Sequence, residues 1–139
     1  MTPFLISTDK DKLNQDLIWD FLSNHSYWAR GCSRRTVEKS IQNSLCFGVY
    51  LHNYNQVGFA RVVTDYATFG WIMDVFILND FRGQGLAKLL LREIMAHPEL
   101  TFLRRMGLNT RDAHNLYRKF GFADVSSPQN IMEILKKPM

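Results

Sequence analysis

Residues 82–88 read Arg-Gly-Gln-Gly-Leu-Ala-Lys, two glycines and two cations at the entry of a stretch with helical apolar spacing. Two readings fit. Glycine supplies the positive φ of a tight turn at no steric cost. Equally, the first N–H groups of a helix lack acceptors within it and carry the positive end of its dipole. Such a loop grips an anion, with Arg82 and Lys88 adding full charges. Two familiar phosphate loops are excluded. A Walker A loop needs Gly-Lys-Ser/Thr, and the dinucleotide fingerprint needs a third glycine where Lys88 stands.

Asp74 lies on the apolar run leading into this loop, where a carboxylate is costly to bury without purpose. It suits a general base, a cation's partner, or a hydrogen bond that fixes the loop. Asp65, ending the preceding run, is a second candidate base. Tyr27, Trp28 and Arg30 sit together in His-Ser-Tyr-Trp-Ala-Arg-Gly, residues 25–31. The aromatics offer flat surface for an apolar stem or a cation, and Arg30 suits a carboxylate. The alternative is that they only anchor a loop to the core. His114 reads as a surface or packing residue. There is no Gly-x-Ser-x-Gly elbow, no recognisable nucleophilic cysteine and no cluster with metal-ligand spacing, so no metal is expected.

The elements that must position these residues follow from periodicity. Pro3–Ser7 predicts a first strand, and Leu13, Leu17, Ile18 and Phe21 a helix capped by Thr8 or Asp9. Val37 and Ile41 mark a second helix. Three strand-like runs follow, LCFGVYL, QVGFARVVTD and WIMDVFIL, the first two joined by a polar turn as a hairpin. Leu86, Leu89, Leu90 and Ile94 trace a helix that His97-Pro98 stops. FLRRMGLNT predicts a strand, and DAHNLYRKFGF a helix with Asp112 as N-cap and Gly121 past its end. NIMEILKK is expected to close the sheet as a strand. The order implies an α/β three-layer domain: a central mixed, mostly antiparallel sheet of about six to seven strands, one parallel β-α-β crossover, and about four flanking helices.

At 139 residues the chain suits one domain, residues 1–139, with a single sizeable core. Its 46% hydrophobic and 22% charged composition is that of an ordinary globular protein. No apolar run approaches the roughly 20 residues of a bilayer span, and no secretory leader is evident. Two cysteines without C-x-x-C spacing fit a reducing, cytoplasmic setting. The net charge of +4 suits an anionic ligand, but no Lys/Arg block reads as a nucleic-acid arm. Neither membrane nor nucleic acid is an expected partner.

Arg82-x-x-Gly85-x-Ala87, after an apolar strand and before a leucine-rich helix, resembles the acetyl-CoA diphosphate loop of the GNAT superfamily of N-acetyltransferases. Ala113, Leu116-Tyr117 and Gly121-Phe122 resemble that family's second signature. The resemblance is closest over residues 45–137. One departure is Thr110, where the family often has asparagine, with Asn109 beside it. This bears on one contact to the pantetheine arm or a neighbouring loop.

The resemblance implies a GNAT-like fold and acetyl-CoA as co-substrate. The backbone of Arg82, Gly83, Gln84, Gly85, Leu86, Ala87 and Lys88 would hold the diphosphate. An amide among Val75, Phe76 and Ile77 would polarise the thioester carbonyl, with a bulge there splaying the strand from its parallel neighbour. Thr110 and Asn115 would complete the cofactor contacts. Tyr117 would protonate the leaving thiolate, Asp74 would serve the acceptor amine, and Tyr27, Trp28 and Arg30 would form the acceptor wall. The function expected is direct transfer of an acetyl group to a primary amine, a small molecule foremost, by a monomer or homodimer. A protein or peptide N-acetyltransferase and a non-catalytic acyl-CoA-binding module are the alternatives. DNA binding rests on the basic charge balance alone.

Overall fold

The computed structural model describes residues 3–136. Five strands form one mixed sheet in sequence order: β1 (Phe4–Ser7), β2 (Leu45–Leu51), β3 (Gln56–Thr64), β4 (Phe69–Ile77) and β5 (Arg105–Leu108). The first three pairings are antiparallel; short polar turns join β2 to β3 and β3 to β4, while residues 8–44 lead from β1 to β2. The fourth, β4 with β5, is parallel and is crossed by the helix α3 (Leu86–Ala96). α1 (Gln15–Asn24) and α2 (Arg34–Gln42) precede the hairpins, and α4 (His114–Arg118) follows β5.

Alternating side chains of the sheet feed two cores. One face packs Phe47, Val49, Ala60, Val62 and Ile72 against Leu86, Leu90, Leu91 and Ile94 of α3. These four α3 side chains are at most 3% exposed, and burial of each contributes about 2 kcal/mol. The other face packs Cys46, Phe59 and Phe76 against Ile18, Phe21 and Leu22 of α1 and Val37 and Ile41 of α2. The architecture is the mixed α/β three-layer fold with four helices expected from the sequence.

Three details differ. The sheet has five strands among the described residues rather than six or seven, because residues 131–136 pair with nothing in it. Asn14 caps α1, its Oδ1 accepting from Leu17 N–H at 3.1 Å, while Asp9 caps the short 3-10 turn at Lys10–Lys12. Asp112 does not cap α4; Thr110 Oγ1 accepts from the Ala113 N–H at 3.0 Å instead.

Candidate active site

The site grows from an irregularity in β4. Phe59 pairs with Phe76 and Arg61 with Met73, so Ala60 alone on β3 stands opposite both Asp74 and Val75. Two residues facing one make a β-bulge, which bends the strand and raises its twist. Asp74 carries it with φ 56°, a left-handed conformation unusual for a non-glycine residue within a strand. The parallel ladder with β5 ends at Ile72–Leu108, so Met73 to Ile77 have no partner there. The strands therefore part beyond Ile72. Phe76 is buried and stacks flat on Phe21, ring centroids 4.0 Å apart, so its side chain belongs to the core and only its backbone can face a ligand. The Val75 side chain packs toward the opposite core.

β4 runs through Leu78 and a 3-10 turn, Asn79–Phe81, into the glycine loop. Gly83 and Gly85 have φ of 80° and 77°, and a Cβ on either would meet nothing within 4 Å. Glycine is needed there for backbone conformation, not for room. Gly85 is the N-cap of α3, and no side chain caps the helix. Among the described residues the amides of Gly83 to Lys88 find no protein acceptor, and the first bond into the helix is Leu89 N–H to Gly85 C=O at 3.1 Å. Arg82 folds back, its Nε donating to the Ile77 carbonyl at 3.0 Å. This fixes the loop to the end of β4. Lys88 and Gln84 are exposed, whereas Leu86 is buried and contributes only its amide.

Asp74 is held on both sides. Arg61 Nε donates to Oδ2 at 2.5 Å, and Trp28 Nε1 donates to Oδ1 at 2.8 Å. Arg61 Nη1 also donates to the buried Ser44 hydroxyl at 3.1 Å, which in turn donates to the Ser40 carbonyl. The two charged side chains are 12% and 6% exposed, so each needs the other. Arg61 was missed in the sequence. The available signal was a lone charge inside the apolar run VGFARVV, since a buried cation requires a partner.

Trp28 thereby ties residues 25–31 to the bulge, and Tyr27 extends the surface. The Tyr27 ring meets Trp28 edge-on at 5.0 Å, carries the Arg111 guanidinium 3.7 Å above its face, and its hydroxyl accepts from Arg111 N–H at 3.3 Å. Arg111 is the second residue that the sequence did not single out. Arg30 is exposed and makes no hydrogen bond or ion pair among the described residues.

Tyr117 is 8% exposed on α4. Burial, foremost, and then Tyr27 and Asp112 push its phenol up from the usual tyrosine range, so it stays protonated. Its position is set by the end of the helix. Phe122 N–H bonds to the Tyr117 carbonyl and Gly121 N–H to the Arg118 carbonyl, the paired bonds of a Schellman motif, with Gly121 at φ 94°. The Phe122 ring closes edge-on upon Tyr117 at 5.9 Å. The Tyr-x-x-x-Gly-Phe spacing is thus what this helix end requires. Asn115 and His114 are exposed on the same helix.

Asp65 lies elsewhere. Its carboxylate accepts from the amides of Ala67, Thr68 and Phe69 and from the Thr68 hydroxyl, organising the β3–β4 turn. The Thr68 hydroxyl and these amides hold its carboxyl well below the ordinary range, which disqualifies it as a base near neutrality. Cys46, pushed up to about 11 by burial, is inert as a thiolate. A cleft of ≈ 980 Å³ runs along the free edge of β5 and includes Tyr117 but none of residues 82–88. Among the described residues no metal-ligating cluster exists, and no helix is long and apolar enough to cross a membrane.

A strand that bulges and parts from its parallel neighbour, then enters a helix through uncapped amides, makes an open slot that ends in an anion-binding helix start. Comparison with known proteins gives the family. Residues 42–124 match the pattern described as Acetyltransferase (GNAT) domain. The chain is similar to a protein of Gibberella zeae named for the acetyltransferases, 30% identical over 135 residues covering 84% of this chain and 76% of that one. It also resembles an N-acetyltransferase-type protein of Gracilaria tenuistipitata var. liui, 30% identical over 122 residues, 78% of this chain and 63% of that one. A crystal structure from Xanthomonas campestris pv. campestris, described as belonging to the GNAT family, superposes with a TM-score of 0.95 at 43% identity, covering 98% and 95% of the two chains. Glucosamine-6-phosphate N-acetyltransferase of Arabidopsis thaliana shares the fold, with a TM-score of 0.66 at 16% identity over 98% and 99%. This chain belongs to the GNAT acetyltransferase family.

Proposed function

We propose that the protein transfers an acetyl group from acetyl-CoA to a primary amine by direct attack, with a small-molecule amine as acceptor. The observation that carries this reading is the run of unpaired amides from Gly83 to Lys88, at a helix N-terminus and immediately beyond the parted strands. Gly83 and Gly85 leave that backbone uncovered, and Lys88 adds an exposed cation, so the residues fit a diphosphate. When bound, acetyl-CoA supplies an electrophilic thioester. The backbone of Val75 to Ile77, freed from β5, would orient it and offer an amide to its carbonyl oxygen. Tyr117 Oη holds the proton that the departing sulfur takes.

Asp74 acts as the anchor of the bulge. Both its oxygens are engaged, and taking a proton would cost it the Arg61 pair. The acceptor ammonium loses its proton to water instead. Tyr27 and Trp28 form the acceptor wall with Arg111, and the fastening of this loop at Asp74 and Arg111 favours a compact amine over an extended peptide. Arg30, exposed and without a partner among the described residues, extends that wall toward an anionic group on the acceptor.

Calorimetry with acetyl-CoA, followed by thiol release across a panel of amines, tests the reading. Saturable binding and amine-dependent release are expected, and no heat on mixing sinks it. Tyr117→Phe should lower kcat by about 10²-fold or more with little change in cofactor affinity. Asp74→Asn separates anchor from base: an anchor loses stability, whereas a base would lose turnover in a protein that melts normally. Binding without turnover on any amine would favour a sensor of acyl-CoA.

A further inference from the structure

We propose that Arg111 grips a carboxylate on the acceptor, so that the acceptor is an amino acid or a close chemical relative rather than a simple amine. This rests on the acyl-transfer reading above and narrows its substrate. The Arg111 guanidinium lies 3.7 Å above the centre of the Tyr27 ring, and the main-chain N–H of the same residue donates to the Tyr27 hydroxyl at 3.3 Å. Tyr27 in turn stands edge-on against Trp28, which is fastened to Asp74. The arginine is thus held by a chain of contacts that starts at the bulge. Holding it by its face leaves its edge free. Among the described residues the Arg111 side chain has neither a hydrogen-bond acceptor nor an ion-pair partner. The N–H groups of a guanidinium form a planar fork that matches the two oxygens of a carboxylate.

Other cations of the chain differ. Arg34, Arg61 and Arg118 are paired with carboxylates, and Arg82 is turned onto the Ile77 carbonyl. Arg30 is exposed and unpaired, but no described residue holds its side chain in place. Arg111 is both held and left with unused donors, so it loses little freedom when a ligand arrives. Its surroundings suit a ligand of both signs. Asp112, next along the chain, is exposed and makes no ion pair with Arg111 or any other described residue. After burial, Tyr27 and Asp112 are the groups felt at the Tyr117 phenol, so these two opposite charges border the acid of the site. Asp74 cannot serve an ammonium group, because both its oxygens are engaged. A ligand with a carboxylate at Arg111 and an amine near Asp112 uses both free charges.

Titrations of the whole protein followed by NMR, with and without saturating coenzyme A, test this without turnover. The probes are glycine, β-alanine, leucine and phenylalanine, each against its own carboxamide. The acids should bind about 10- to 100-fold more tightly than their carboxamides, as a charge-assisted pair implies. Arg111→Met should erase that preference while coenzyme A affinity stays as it was. The main-chain bond to Tyr27 survives this substitution of an exposed side chain, so the fold should persist. Tyr27→Leu removes the ring beneath the guanidinium and should lower the preference as well. Equal affinity for acids and carboxamides in the wild type overturns the proposal, as does no binding of any acid. A preference that persists in Arg111→Met overturns it too. A merely structural arginine would weaken acids and carboxamides alike, and that result is equally fatal. If Arg111→Met instead weakens coenzyme A and spares the acids, the guanidinium serves the cofactor and the proposal fails. Acid binding that depends on Arg111, in a protein that gives no heat with acetyl-CoA, supports the carboxylate site and sinks only the acyl transfer.

Discussion

Two neighbouring regions of the site treat their polar groups in opposite ways. Around Asp74 both carboxylate oxygens are engaged: Arg61, Trp28 and Ser44 form a part-buried, internally neutralised network. A few residues further along, the amides of Gly83 to Lys88 have no protein partner among the described residues. The first region maintains geometry, and the second is free to meet something outside the chain. Both depend on left-handed backbone, at Asp74, Gly83 and Gly85, so conformation alone does not separate anchor from binding loop. Hydrogen-bond accounting does.

The largest test breaks the closed region. Arg61→Met leaves the Asp74 carboxylate buried and uncompensated, and should cost about 3–5 kcal/mol of stability by chemical denaturation. Opening the other side is milder. Gly85→Ala meets no steric obstacle but places an L-residue at φ 77°, a cost of about 1–2 kcal/mol. Acetyl-CoA affinity, read by calorimetry, should fall about tenfold or more as the amides turn away. If Gly85→Ala melted lower yet bound acetyl-CoA normally, the contrast between the two regions would lose its meaning.

A third group sharpens the comparison. Tyr50 Oη is also unpaired, but it is buried in β2 with its phenol pushed up to about 12, chiefly by burial, and no ligand can reach it. Tyr50→Phe should therefore raise stability by about 1 kcal/mol, measured by denaturant midpoint. The smallest effect lies at Asp65, exposed but fully engaged. Its folded carboxyl titrates below the unfolded value of about 4, so its contribution is present above that pH and fades as pH falls through the lowered folded value. Asp65→Asn and wild type should differ in melting temperature near neutrality and converge in acid.

What the sequence disclosed, and what it concealed, follows the same division. Arg82 to Ala87 and Tyr117 to Phe122 were readable because local backbone geometry dictates those residue types: left-handed turns, an uncapped helix start, a Schellman close. The bulge was foreseen near Val75 to Ile77 and lies at Asp74–Val75. Contacts distant in sequence were opaque. Nothing near Asp74 announces Arg61, 13 residues back, or Trp28, 46 residues back. Arg111 was likewise silent, since its role depends on a loop brought from the other end of the chain. The closing strand failed for a different reason. Residues 131–136 have a strand's alternation, but alternation specifies a face and not the edge that will receive it.

The flat stack of Phe76 on Phe21 couples what would otherwise be separate modules. Phe21 rides on α1, whose end leads into the loop bearing Tyr27 and Trp28, while the backbone of Phe76 borders the parted strands. The two rings join α1 to the far end of β4 by one flat contact, so any tilt of α1 would be passed to the backbone that borders the parted strands.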